Sequence, residues 1–217
     1  MKSILKATAA AALLATSALS QAAIVAYDSA AAWQAAAGTT SHTQNFNGFA
    51  ADTALGAVPL SLGGGMSVSA TGSWTVDIAP LSNAFECSVD GSAELCGFNT
   101  SVLTFAFDSG ISAFGAIFSS FNDDALRTQL ELFNGATLIA TLSPSLVAGQ
   151  NDRFYGFVAN AGESITSFRT KFVDNDVFGI DNISIVDSGE VPEPGSLALL
   201  GLGLAGLLGA RRRFTRG

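Results

Sequence analysis

The chain has 217 residues and a formal net charge of −8 at pH 7, from ten Lys and Arg and eighteen Asp and Glu. Six of the basic residues lie within a few positions of the two ends, so the segment 23–190 carries four basic residues against seventeen acidic ones, a net charge of about −13. Such a surface repels nucleic acid and anionic membranes, so it argues against both as partners and is compatible with divalent cations or neutral glycans.

The first 22 residues have the three regions of a secretory signal peptide. Lys2 and Lys6 are followed by an apolar run over 7–19 and by the small-residue exit Ser20-Gln21-Ala22. This order predicts export, with cleavage after Ala22 or Ala23. The following residues, 23–188, are long enough for one domain with a sizeable core.

The exported segment starts with one short predicted helix. Ser29 to Ala37 is rich in alanine around Trp33, and Gly38 ends it. Asp28 is the predicted N-cap, because its carboxylate can accept a hydrogen bond from the first turn. We expect the Trp33 side chain to be mostly buried.

After the helix, apolar and polar residues alternate in short runs with Gly, Asn and Asp between them, the pattern of β-strands. Asn134-Gly135 between two such runs is a strong hairpin signal. Many short strands without a second long helix predict an all-β fold, an antiparallel β-sandwich and specifically a jelly roll. The predicted strands cover residues 43–49, 66–70, 74–78, 102–107, 113–119, 128–133, 137–142, 154–158, 165–172 and 178–186.

Two cysteines occur in the chain, Cys87 and Cys96. Because export leads to an oxidising compartment, we expect them to form a disulfide. A zinc site is the alternative, but zinc takes four ligands and His42 is the single histidine of the chain.

No catalytic motif stands out in the exported segment. A Ser-His-Asp triad would have to use His42, and there is no G-x-S-x-G elbow. Seventeen acidic residues offer many carboxylate pairs, which leaves open a polysaccharide hydrolase of the two-carboxylate type without pointing to one pair. Among the aromatic residues, Trp74 is expected in the core and Tyr155 partly exposed.

The last segment, 189–217, has three parts in a fixed order. Val191-Pro192-Glu193-Pro194 is held open by its prolines. An uncharged, glycine-rich apolar stretch over 195–210 follows, and as a helix it would be about 24 Å long, against about 30 Å for the hydrocarbon core of a membrane. The basic end, 211–217, contains Arg211, Arg212 and Arg213, which would stay on the cytoplasmic side. We expect a single C-terminal transmembrane helix that holds the rest of the chain outside.

This tail resembles the PEP-CTERM sorting tail of Gram-negative bacteria, which is also catalogued as the C-terminal domain of an ice-binding protein. The resemblance is carried by Val191 to Ser196, the apolar stretch to Ala210 and the arginines that follow. It implies that an exosortase, a membrane-embedded transpeptidase, cuts the tail near the motif. The protein would be anchored in the inner membrane before processing, and then reach the cell surface or the exopolysaccharide matrix of a biofilm.

The exported segment is similar to the carbohydrate-binding-like jelly rolls that often accompany such tails. The similarity is carried by the short runs at 45–49, 113–115, 154–157 and 178–183. It implies a structural calcium at Asp181, together with Asn47, since calcium takes six to eight oxygen ligands. The alternative is that Asp181 caps a turn or hydrogen-bonds to backbone in the closing strand.

These observations lead to one main expectation about function. The chain is expected to be an exported, non-catalytic surface or matrix protein that associates with exopolysaccharide. The alternative is a secreted hydrolase that acts on polysaccharide through a carboxylate pair. A structural coat component without a ligand is a third possibility.

Overall fold

The computed structural model describes residues 24–50, 52–72, 76–79, 92–98, 102–119, 129–144, 152–160, 162–171 and 177–189. This part of the chain forms one short helix and thirteen antiparallel strands. The helix is α1 (Ala30–Ala37), and the strands are β1 (Ile24–Tyr27), β2 (His42–Gln44), β3 (Thr53–Leu55), β4 (Leu60–Gly63), β5 (Met66–Thr71), β6 (Val76–Ala79), β7 (Glu94–Phe98), β8 (Val102–Ser119), β9 (Gln129–Asn134), β10 (Thr137–Leu142), β11 (Arg153–Ala159), β12 (Ile165–Lys171) and β13 (Val177–Asp187).

The 18-residue strand β8 organises the sheet, because its two halves pair with different strands. Residues 102–107 lie between β5 and β12, whereas residues 113–118 lie between β11 and β13. The prediction of two separate strands here was wrong. The residues between them continue the strand through Gly110, which has a φ of +70°. A strand that bends and changes sheets in this way connects the two layers of a sandwich.

Two layers result from this change of partners. The first layer contains β4, β5, the beginning of β8, β12, β9 and β10, in that spatial order. The second contains β1, β11, the end of β8 and β13, and it continues through β7, β6 and β3, with β2 also on β13. The predicted antiparallel β-sandwich is therefore confirmed.

Four phenylalanine rings join the layers at the centre of the core. Phe105 and Phe168 of the first layer stack with ring centroids 4.8 Å apart. Phe114 and Phe157 of the second layer lie 5.5 Å apart, and Phe114 meets Phe168 edge to face at 4.6 Å. All four side chains are fully buried. The alternation of apolar residues in β8, β11 and β12 directs these rings inward.

Helix α1 begins one residue later than predicted and has a different N-cap. Ser29, not Asp28, is the cap, and its Oγ accepts a hydrogen bond from the backbone N–H of Ala32. Gly38, with a φ of +83°, ends the helix as predicted. Trp33 is buried, which confirms that prediction, and it packs on the second layer.

The predicted hairpin is present between β9 and β10, and Gly135, with a φ of +57°, opens its turn. Strands β1, β3, β4 and β7 were not predicted. Trp74, the signal peptide at 1–22 and the sorting tail lie outside the described residues. Where the structure does describe the chain, it contains no helix of the length and apolar character that a membrane crossing requires.

Candidate functional site

Strand β13 changes its pairing partner at Asp181. Residues 177–180 pair with β7, and residues 183–185 pair with β2. On its other edge, β13 has a bulge between Asp181 and Ser184, where Asn182 takes a positive φ of +51°. A bulge of this kind re-aims a side chain. Asp181 becomes fully buried beside the two strand ends, while Asn182 is exposed.

The two residues predicted to bind calcium both contact the segment that leads into β7. The Ser92 hydroxyl donates to Oδ2 of Asp181 at 3.0 Å. The backbone N–H of Ala93 donates to Oδ1 of Asn47 at 3.0 Å. Asp181 and Asn47 therefore accept hydrogen bonds from two consecutive residues, Ser92 and Ala93. Together these bonds hold the start of β7 against the closing strand β13 and the loop after β2.

This junction fits a calcium ion in part. The Asp181 carboxylate and the Ser92 hydroxyl are oxygen ligands of the kind that calcium takes, but the ion needs six to eight of them. Among the described residues, no group of three or more His, Cys, Asp or Glu side chains is placed to hold a metal. The alternative prediction was that Asp181 caps a turn or hydrogen-bonds to backbone. The observed hydrogen bond from Ser92 resembles it, but the donor is a side chain. Calcium binding at Asp181 and Asn47 stays a prediction.

A cleft of about 260 Å³ opens where β1 ends beside β11. It is lined by Ala26, Tyr27, Asp28, Ser143 and Tyr155. The prediction that Tyr155 is partly exposed was wrong, because its side chain is 6% exposed and its ring meets Phe118 edge to face. Burial raises the pKa of the Tyr155 phenol from 10.0 to about 12. Burial therefore favours the neutral phenol, a group that can both donate and accept a hydrogen bond.

The outward surface of the first layer, which we call the polar face, is formed by every second residue of β5, β8, β12 and β9. The strand register places Ser69, Thr104, Arg169 and Glu131 in one row across these strands. A second row runs through Ser67, Ala106, Ser167 and Phe133. Neighbouring strands lie about 4.8 Å apart, so each row presents side chains at that spacing.

Three charged side chains meet in the middle of the polar face. Nε of Arg169 donates to Oε2 of Glu131 at 2.5 Å, and Nζ of Lys171 lies 3.9 Å from the other carboxylate oxygen. The guanidinium also lies over the Phe133 ring, with Cζ 5.0 Å from the ring centroid. Glu131 is 12% exposed, whereas Arg169 and Lys171 are about half exposed. A carboxylate that is mostly but not fully buried thus contacts two half-exposed cations.

None of these polar-face residues was predicted from the sequence to be a functional residue. The available signal was the alternation of Gln129, Glu131 and Phe133 with buried leucines, and of Ser167, Arg169 and Lys171 with Phe168 and a buried threonine. Alternation identifies the outward side of each strand, but the cluster also depends on β12 lying directly beside β9. That neighbour relation joins residues 38 positions apart and is not visible in either strand alone.

The remaining predicted site residues lie wholly or partly outside the described residues. Cys96 is buried on β7, and the described part of the chain contains no free cysteine. Cys87 lies outside that part, so the Cys87–Cys96 pairing stays a prediction. The sorting residues also lie outside it: Val191, Pro192, Glu193, Pro194, Arg211, Arg212 and Arg213.

Comparison with protein families decides the nature of the tail. Residues 190–213 match the family model described as the PEP-CTERM protein-sorting motif. The chain carries a PEP-CTERM sorting tail. The match spans all seven sorting residues that the sequence analysis selected, from Val191 to Arg213. A PEP-CTERM tail indicates a protein that is exported.

The part of the chain before the PEP-CTERM tail has distant structural neighbours. The CBM22-1 xylan-binding domain of Paenibacillus barcinonensis Xyn10C is 14% identical, with a TM-score of 0.41, and the match covers 70% of this chain and 97% of that one. The C-terminal family 22 carbohydrate-binding module of Clostridium thermocellum Xyn10B is also 14% identical, with a TM-score of 0.39 and the same coverage of both chains.

A variant of a family 29 carbohydrate-binding module is 11% identical, with a TM-score of 0.37 over 67% of this chain and 99% of that one. Identities and TM-scores as low as these say nothing about a ligand of this chain. No curated protein sequence matches the chain.

Proposed function

We propose that this PEP-CTERM protein is a non-catalytic component of the cell surface or extracellular matrix of a Gram-negative bacterium, and that its β-sandwich associates with exopolysaccharide. The family match over residues 190–213 is the observation that carries the sorting part of this proposal. The polar face supports the association part, because it offers anchored cations beside hydroxyl groups on an accessible sheet surface.

The tail acts by holding the exported sandwich at the inner membrane until it is processed. The apolar stretch 195–210 enters the membrane, and the arginines at 211–213 stay in the cytoplasm because their transfer across the membrane is costly. An exosortase then cuts near Val191 to Pro194 and releases the sandwich. We expect the two prolines to favour an extended backbone at this motif, which would make it accessible to the enzyme.

The sorting step is tested by fractionating cells that possess an exosortase and express the full chain. The wild-type protein is expected at the surface or in the medium, shortened by the loss of its tail. A triple variant, P192A/E193A/P194A, is expected to stay in the inner membrane at the length of the uncut chain. As a control, Thr215→Ala lies beyond the matched residues 190–213 and is expected to be processed. Equal release of the triple variant would contradict the proposed role of the motif.

The polysaccharide step is tested with the producing strain's own exopolysaccharide. Retention of the protein on this material without new reducing ends supports a binding function. New reducing ends would instead support the alternative, a secreted hydrolase that uses a carboxylate pair. A protein that is neither retained nor active would be a structural coat component.

A further inference from the structure

The polar face carries two exposed cations of an acidic protein. Of the basic residues that the structure describes between residues 23 and 190, which are Arg153, Arg169 and Lys171, the last two lie together on this face and are about half exposed. We propose that the polar face is a binding surface for a neutral polysaccharide, with Arg169 and Glu131 at its centre. This inference rests on the proposed association with exopolysaccharide and names the surface and the class of glycan.

The guanidinium of Arg169 is held in place before any ligand arrives. Glu131 fixes its Nε edge at 2.5 Å, and the Phe133 ring supports one of its flat sides. Within the described part of the chain, this bond to Glu131 is the hydrogen bond that the guanidinium makes. Arginine has five N–H donors, so its terminal amino groups remain for a ligand. A donor that is already oriented loses little conformational entropy on binding.

An apolar patch, formed by Phe133 and Leu138, adjoins this charged centre. Leu138 of β10 lies directly opposite Phe133 of β9, and its side chain is 51% exposed. Sugar rings have an apolar C–H face and a rim of hydroxyl groups, so they suit a surface that offers an apolar patch beside fixed donors and acceptors. The Phe133 and Leu138 pair supplies the patch, and Arg169 and Glu131 supply the fixed polar groups.

Hydroxyl side chains extend the polar face away from the apolar patch. Thr104 and Ser69 continue the row of Arg169 on the next two strands, and Thr141 lies opposite Glu131 on β10. Each hydroxyl group can both donate and accept a hydrogen bond, as sugar hydroxyls do. A row of such groups at the strand spacing of about 4.8 Å suits an extended chain laid across the sheet better than a compact small molecule.

The charge balance selects a neutral chain over an acidic one. Arg169, Lys171 and Glu131 together carry one net positive charge, within a segment whose net charge is about −13. A polyanion would be repelled by the wider surface over several residues of its length. A neutral glycan pays no such cost, and it still gains hydrogen bonds to charged groups, which are the stronger kind.

The test measures retention of the full chain, kept in mild detergent, on immobilised mannan, xylan and β-glucan, with polygalacturonate as the acidic polymer. The wild-type protein is expected to bind at least one neutral polymer more tightly than polygalacturonate. Arg169→Ala is expected to weaken that binding about tenfold, the effect of one lost hydrogen bond to a charged group. Arg169→Lys, which keeps the charge but loses the planar fork, is also expected to weaken it.

Glu131→Gln provides a second variant with a matched control. It removes the charge that holds both cations and is expected to weaken binding severalfold, whereas Glu163→Gln in the turn before β12 is expected to leave binding unchanged. The melting temperature of each variant checks that the fold is intact. Little change is expected for the Arg169 variants, because the Arg169 side chain is half exposed.

Wild-type affinity in Arg169→Ala, or binding to polygalacturonate alone, would overturn the inference even if the strain's own polysaccharide is retained. If the wild-type protein is retained on none of these polymers, including the strain's own, the proposed association itself fails.

Discussion

Trp33 of the helix lies directly on Gly156 of β11. A Cβ atom at Gly156 would come within 2.7 Å of Cδ1 of Trp33 and 2.8 Å of the Phe114 carbonyl oxygen. The indole Nε1 also donates to the Phe157 carbonyl oxygen at 3.3 Å. The missing side chain at Gly156 therefore creates the space in which α1 docks on the second layer.

Replacing this glycine is expected to loosen the helix. Gly156→Ala forces Trp33 or the strand to move, and overpacking of this kind costs about 1–3 kcal/mol. Denaturant unfolding followed by tryptophan fluorescence measures the change. Gly48→Ala is the matched control, because a Cβ at that position meets nothing within 4 Å. Equal stability of the two variants would contradict the packing described for Trp33.

Calcium binding at the Asp181 junction is tested by thermal unfolding. If the ion binds there, calcium raises the melting temperature, because a ligand that binds the folded state alone stabilises it by about 2.7 kcal/mol at 100 times its Kd. Asp181→Asn is expected to abolish the shift, whereas Asp187→Asn, an exposed position on the same strand, retains it. The absence of any shift at millimolar calcium would end the metal interpretation and leave the bond to Ser92 as the role of Asp181.

The cysteine pair makes a separate prediction about stability. A Cys87–Cys96 disulfide closes a loop of ten residues, counted from the sequence, and would stabilise the fold by about 2.7 kcal/mol in the chain-entropy model. Reduction with dithiothreitol is expected to lower the free energy of unfolding by about this amount. The double variant C87S/C96S should lose a similar amount and no longer respond to reductant. Alkylation of both thiols in the native, non-reduced protein would contradict the pairing.

Tyr155 predicts how stability depends on alkaline pH. Burial raises its pKa from 10.0 to about 12 in the folded protein, so the unfolded chain loses the phenol proton first as the pH rises. The contribution of this group is therefore fully present below pH 10 and declines between pH 10 and about 12. Tyr155→Phe removes the group and should flatten that part of the pH profile. A variant with the same alkaline slope as wild type would show that Tyr155 titrates normally.

The strands were predictable where alternation is regular and the ends are marked. Thr137–Leu142 has the predicted bounds, because Gly135 opens the hairpin turn just before it. The short edge strand β1 and the strand β7 carry too few alternating residues to stand out. Asp108, Ser109 and Gly110 look like a turn in sequence, yet they continue β8, because both halves of that strand are held by partners on each side.

The candidate sites depended on relations that the sequence does not contain. Asp181 was selected from the sequence as a calcium ligand, which stays a prediction, and its contact with Ser92 joins positions 89 residues apart. The cluster of Arg169, Glu131 and Phe133 requires the register of β12 on β9. In contrast, the sorting tail is a local signal that consists of three ordered features within 29 residues. It could therefore be predicted from the sequence without knowledge of the fold.

The most direct test of export and sorting is the intact mass of the protein recovered from the surface or medium of the producing cells. We expect a single chain that begins at Ala23 or Ile24 and ends near Pro194, without the apolar stretch and the arginines. Recovery of the uncut chain of 217 residues from the cytoplasm, with both ends present, would contradict the account.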